Sequence, residues 1–85
     1  MTYRVELTTA AARQVRKLEP AVRRRVLHAL SELEVDPRPG GVKKLTGLEN
    51  AWRLRVGDYR ILYEIEDDVV LVTVFRVAHR RNAYE

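Results

Sequence analysis

From Trp52 to Ile65 the chain alternates apolar and polar side chains with one break, at Gly57-Asp58, and one exception, Leu62. Few structures accept that pattern. Period-two alternation is that of a strand with one buried face, and a two-residue break containing glycine reads as a hairpin turn. Such a turn also sets the register, placing Val56 opposite Tyr59 and Arg55 opposite Arg60. Trp52, Leu54, Val56, Tyr59, Ile61 and Tyr63 then share one face, and Arg53, Arg55 and Arg60 share the other.

The rest of the chain supplies a cover for the apolar face. Tyr3, Val5 and Leu7 alternate with Arg4 and Glu6, which predicts a short first strand. Thr8 or Thr9 can cap a helix in which Ala11, Val15 and Leu18 recur at helical spacing. Pro20 suits the first turn of a second helix, whose apolar stripe is Val22, Val26, Ala29, Leu30 and Leu33. Pro37 ends that helix near Asp36. Pro39-Gly40-Gly41 marks a loop, and Asp67-Asp68 a second turn. The last strand, Val69 to Val77, is apolar on both faces, as in a central strand or one lining a cleft. The expected fold is α+β, β-α-α-β-β-β, with two N-terminal helices on one face of a small, mainly antiparallel sheet. No linker or repeat divides the chain, so residues 1–85 read as a single domain.

Composition narrows the chemistry. With 85 residues, 46% of them hydrophobic, the chain can build one modest core. It has no cysteine, hence no disulfide and no thiolate nucleophile or metal ligand. No His/Asp/Glu group has metal-ligand spacing, and no metal or cofactor is expected. Asp67-Asp68 with Glu64 and Glu66 reads as a solvated hairpin tip. The opening Met1 to Glu6 lacks the pattern of a signal peptide, and no apolar run is long enough to span a membrane. A cytoplasmic protein without membrane contact is expected. The net charge of +4 suits an anionic partner.

The arginine face is where that partner would sit. Like charges directly opposite on a sheet are unfavourable, and Arg55 facing Arg60 suggests an anion between them. His79-Arg80-Arg81-Asn82-Ala83-Tyr84 follows the last strand, and straight alternation puts Phe75 and Val77 on the arginine face as well. Guanidinium groups pair with phosphate, and an exposed aromatic ring can stack on an unpaired base, which suits single-stranded RNA. Lys43 and Lys44, in the loop before the hairpin, and Arg81 are candidate RNA-backbone contacts. Arg24 and His28 face away from the apolar stripe of their helix and read as a solvated face. His79 is the nearby side chain suited to proton transfer near neutral pH, or else a surface residue.

Leu45-Thr46-Gly47-Leu48, Trp52 through Tyr63 with its Gly57-Asp58-Tyr59-Arg60 core, and His79-Arg80 with Tyr84 resemble the RelE family of bacterial toxins, within the wider RelE/ParE superfamily. The resemblance covers nearly the whole chain. It implies a toxin of a type II toxin–antitoxin system that cleaves mRNA in the ribosomal A site and is neutralised by an acidic, RelB-like antitoxin. It implies catalytic roles for Arg53, Arg55, Arg60, Arg80 and Tyr84: Arg60 on the scissile phosphate, Arg80 near the leaving oxygen, Tyr84 stacked on a base. Arg53 and Arg55 stand where well-known members carry lysine. Arginine cannot give up its proton as a lysine can, so these two would act electrostatically and another group, such as His79, would take the proton. The RNA 2′-hydroxyl would be the nucleophile. A ParE-like inhibitor of DNA gyrase would share the hairpin without needing Arg80 and Tyr84, and a non-catalytic RNA-binding module is a third reading.

Overall fold

Local sequence fixes where each element starts and stops. In the computed structural model, which describes residues 2–82, β1 (Arg4–Leu7) is followed by α1 (Thr9–Arg16) and α2 (Pro20–Val35). The Thr8 side chain accepts from the amide of Ala11 and caps α1. Pro20 begins α2, where its missing N–H is not needed. The helix ends at Val35, and Asp36, ahead of Pro37, is extended. β2 (Lys43–Lys44), β3 (Ala51–Val56), β4 (Tyr59–Glu66), a 3-10 turn (Asp67–Val69) and β5 (Leu71–His79) complete the chain.

The strands form one sheet in the order β1-β5-β4-β3-β2, parallel between β1 and β5 and antiparallel elsewhere. Its place between β1 and β4 explains why β5 is apolar on both faces. The hairpin register is the one its turn demands: Val56 pairs with Tyr59 and Arg55 with Arg60. Ala11 and Val15 of α1 and Val26, Leu30 and Leu33 of α2 close over Ile61, Tyr63, Ile65, Val72, Val74 and Val77. Tyr63 is fully buried. Its hydroxyl donates to the Pro37 carbonyl at 2.8 Å, and burial pushes its pKa up to about 12.

Three features depart from the sequence expectations. Lys43 and Lys44 do not lie in a loop: they pair with Arg53 and Trp52 as a short edge strand. Second, β5 carries a bulge. Tyr63 pairs with Val74 but Leu62 pairs with Arg76, so Phe75 is an extra residue and the side-chain parity reverses after it. Val77 therefore lies opposite Ile61 in the core, 2% exposed, and not on the arginine face. Third, the acidic tip is exposed as expected, but Asp67 in it is paired. Its carboxylate accepts from the Tyr3 hydroxyl at 2.6 Å and from both terminal nitrogens of Arg38 at 2.8 and 3.2 Å. Arg38 in turn lies 5.3 Å over the Trp52 ring. One exposed ion pair thus ties the N-terminal segment, the loop after α2, β3 and the turn before β5.

Candidate functional site

Both helices cover the Ile61 and Tyr63 side of the sheet, so the register decides what the other side displays. Arg55, Arg60 and Ala78 form one cross-strand row there; Arg53, Leu62 and Arg76 form the next, with Lys43 beside Arg53. Nearer the opposite end, Glu64 pairs with Thr73 and Thr73 with Glu6, with Glu66 beyond. This face is therefore basic toward the β3–β4 turn and acidic toward the β4–β5 turn. Leu62 lies on it yet is only 6% exposed. Long arginine stems on either side are the kind of side chain that covers apolar surface while keeping the charge in water.

The basic half centres on the Gly57-Asp58 turn. Gly57 has φ +58°, a left-handed conformation that suits glycine. Arg60 folds back on this turn and donates from one terminal nitrogen to the carbonyls of Gly57 and Tyr59, at 3.1 and 3.0 Å. The backbone amide of Arg80 donates to the Asp58 carbonyl at 2.7 Å, while its side chain stays exposed, with Nε 4.0 Å from the Asp58 carboxylate. From the helix side, the Arg25 guanidinium approaches to 3.1 Å of where a Cβ on Gly57 would sit. The turn thus gathers Arg25, Arg60 and Arg80, with Arg55 directly across from Arg60. On the uncovered face, Arg60, held by its backbone bonds, and Arg55 across from it, with Arg80 beside the turn, can hold a phosphodiester and stabilise added negative charge on it.

Other candidates are placed differently. His79 lies opposite Tyr59, and so on the helix-covered side of the sheet, away from Arg55 and Arg60. Its ring meets Tyr59 edge-on at 5.4 Å. Its Nδ1 accepts from the Arg81 amide at 3.3 Å, so in the neutral ring the proton sits on Nε2, which can then donate but not accept. Arg81 is exposed in the turn after β5. Lys43 shares the arginine face; Lys44, paired with Trp52, points to the other. Tyr84 lies outside the described residues. Arg24 and His28 are exposed, but they line a groove of about 780 Å³ between α2 and the end of β3, together with Arg25 and Arg55. Among the described residues no group of three or more His, Asp or Glu is placed to hold a metal ion.

Sequence reasoning missed Arg25 and Arg76. Nothing local marks Arg25, because its approach to Gly57 depends on how α2 crosses the sheet. Arg76 sits within the apolar run of β5, and a charge there was the one local sign that the alternation shifts.

Comparisons with known proteins identify the family and the fold. The family model for the ParE toxin of the type II toxin–antitoxin system parDE matches residues 5–84. Toxin RelG of Mycobacterium tuberculosis is 35% identical over 85 residues, spanning 99% of this chain and 98% of that protein. The archaeal RelE–RelB complex from Pyrococcus horikoshii OT3 contains a chain that superposes with a TM-score of 0.85 at 31% identity, covering 98% of this chain and all of that one. The isolated E. coli RelE toxin superposes with a TM-score of 0.80 at 28% identity, over 91% of this chain and 83% of that one. With a family match over almost the entire chain and full-length relatives above 30% identity, the protein belongs to the RelE/ParE family of toxins of type II toxin–antitoxin systems.

Proposed function

We propose that this toxin is an endoribonuclease that cuts mRNA held in the ribosomal A site, without a metal ion. The observation that carries the reading is the convergence of Arg60 and Arg80 on one turn, beside Arg55, on an uncovered basic face. The matching family model is that of the ParE toxin, but the relatives and structural neighbours named RelG and RelE support the RelE reading over a gyrase inhibitor.

In this reading the 2′-oxygen of the RNA attacks the adjacent phosphorus and the bond to the 5′-oxygen breaks, leaving a 2′,3′-cyclic phosphate and a 5′-hydroxyl. Arg60 and Arg55 bear on the nonbridging oxygens, where charge grows in the transition state. Arg80 faces the departing oxygen. Arg53, Lys43 and Arg81 hold flanking phosphates, and Tyr84 stacks on a base; Lys44, turned to the other face, takes no part. Arginines cannot accept the 2′-hydroxyl proton. That proton goes to water or to a group of the ribosome, and water or the ribosome returns one to the departing 5′-oxygen; His79, on the helix-covered side and accepting from the Arg81 amide, supports the turn. The ribosome supplies in-line geometry, worth orders of magnitude in effective molarity. A cognate acidic antitoxin, the kind of partner that the P. horikoshii RelE–RelB complex suggests, silences the toxin by laying carboxylates on Arg55 and Arg60. The work is done in the cytoplasm, where translating ribosomes are.

Primer extension on mRNA after brief expression tests the reading. Discrete breaks within translated codons are the expected result. Intact mRNA with double-strand DNA breaks would instead establish gyrase inhibition, and binding without breaks of either kind an RNA-binding module.

A further inference from the structure

Arg80 poses a problem of aim. Its side chain is exposed, and its contact with Asp58, at 4.0 Å, is too long to hold it in one direction. Whatever sets its direction must act through its backbone, in the turn formed by residues 79–82. That turn is closed by the Asn82 amide donating to the His79 carbonyl at 2.8 Å, and one side of it is moored by the Arg80 amide on the Asp58 carbonyl at 2.7 Å. A turn moored on one side alone can still pivot.

The second mooring comes from Arg76. The bulge at Phe75 brings Arg76 to the uncovered face; an unbroken alternation would have turned it into the core and Val77 outward. From there its terminal Nη2 donates to the carbonyl of Asn82, at the far end of the turn. Its Nε is buried and has no hydrogen-bond partner. A buried donor left unpaired is unfavourable, so the side chain is not lying where solvation alone would put it. The geometry assigns Arg76 as a positioning residue: it anchors the 79–82 turn so that the Arg80 guanidinium is held over the same phosphate as Arg60. This assignment rests on the endoribonuclease reading for its consequence, and on the hydrogen bonds alone for the anchor.

Arginine suits the task. Its long, planar head reaches across six residues of chain and donates in a fixed plane, whereas lysine offers a freely rotating ammonium. Methionine keeps most of the stem and removes every donor.

The test compares the full-length wild-type toxin with Arg76→Met and Arg76→Lys, each first checked for unchanged melting. Hydrogen exchange is read at the Arg80 and Asn82 amides, and cleavage of mRNA on programmed ribosomes is read as separate kcat and KM. In Arg76→Met both amides should exchange at least about tenfold faster, and kcat should fall about 10- to 100-fold with KM nearly unchanged, as for a misplaced catalytic group. Arg76→Lys should recover most of the amide protection and part of kcat. Unchanged exchange in Arg76→Met overturns the anchor. Unchanged exchange with a raised KM also overturns it, because Arg76 would then be a direct RNA contact. A wild-type toxin that cuts no ribosome-bound mRNA defeats the endoribonuclease reading, and the exchange data still decide the anchor.

Discussion

Arg55 and Arg60 stand directly opposite each other across the β3–β4 hairpin, two like charges in one cross-strand pair. Such a pair weakens a sheet unless something anionic lies between its members. Arg60 eases the conflict by turning its guanidinium onto the Gly57 and Tyr59 carbonyls. A bound phosphate would ease it further, so removing Arg60 should stabilise the free protein slightly while disabling it. Arg60→Ala and Arg80→Ala should each lower cleavage on programmed ribosomes about 10²- to 10³-fold, the usual loss for one transition-state contact. Circular dichroism should remain that of the wild type. A folded double variant with full activity would falsify their assignment.

His79 offers a sharper choice. A true acid or base at this position would contribute about 10²- to 10⁴-fold. The ring instead packs on Tyr59 from the helix side and accepts from the Arg81 amide, which is what a turn-supporting residue does. His79→Asn, which keeps a polar acceptor but not the ring, should therefore cost less than about tenfold in single-turnover cleavage. A loss within the acid–base range would place His79 in the reaction.

The hairpin was legible because alternation and a glycine turn determine register without help from the rest of the fold. That logic put Arg55 opposite Arg60 correctly. It failed at Phe75, since a bulge is set by how two strands fit together and leaves little periodic trace beyond the charge at Arg76. One unpaired residue moved Val77 into the core and Arg76 out. Lys43 and Lys44 were misread for a related reason. Two lysines carry little strand propensity, and what pairs them is the free edge of β3. The Asp67 ion pair was hidden because its partners Tyr3 and Arg38 lie 64 and 29 residues away in the chain. The catalytic assignment of Tyr84 came from resemblance alone.

Gly57 should tolerate substitution poorly. Its φ of +58° costs a side-chain-bearing residue about 1–2 kcal/mol, and a Cβ would press on the mobile end of Arg25 at 3.1 Å. Gly57→Ala should therefore lose about that much stability in urea unfolding. Gly57→Asn should lose less, since asparagine enters this region more readily. Because Arg60 is bonded to the Gly57 carbonyl, cleavage should fall along with stability. Equal stability of the alanine and glycine forms would show that the turn relaxes to another conformation.

The Asp67 ion pair predicts how the protein meets acid. Hydrogen bonds from Arg38 and then Tyr3 hold the Asp67 carboxyl at about 2, below its ordinary 3.8. A carboxyl depressed in the folded state binds its proton more weakly there than in the unfolded chain. Its stabilising contribution is therefore whole above pH 3.8 and is lost as pH falls through about 2. The bond to Asp67 raises the Tyr3 hydroxyl above its ordinary 10.0. That contribution has the opposite sense, present below pH 10.0 and lost as pH rises through the raised folded value. Asp67→Asn removes both. Its stability, followed by urea unfolding at a series of pH values, should fall less steeply than that of the wild type between about pH 4 and 2, by about one proton's worth of slope. At neutral pH the two proteins should differ modestly, because the pair is exposed and water screens it. Arg38→Met should remove the larger part of the Asp67 shift while leaving the Tyr3 bond, and the double variant should cost less than the sum of the two singles, since both remove the Arg38–Asp67 bond. An acid limb with the same slope in Asp67→Asn and the wild type would mean that the pair does not persist in solution.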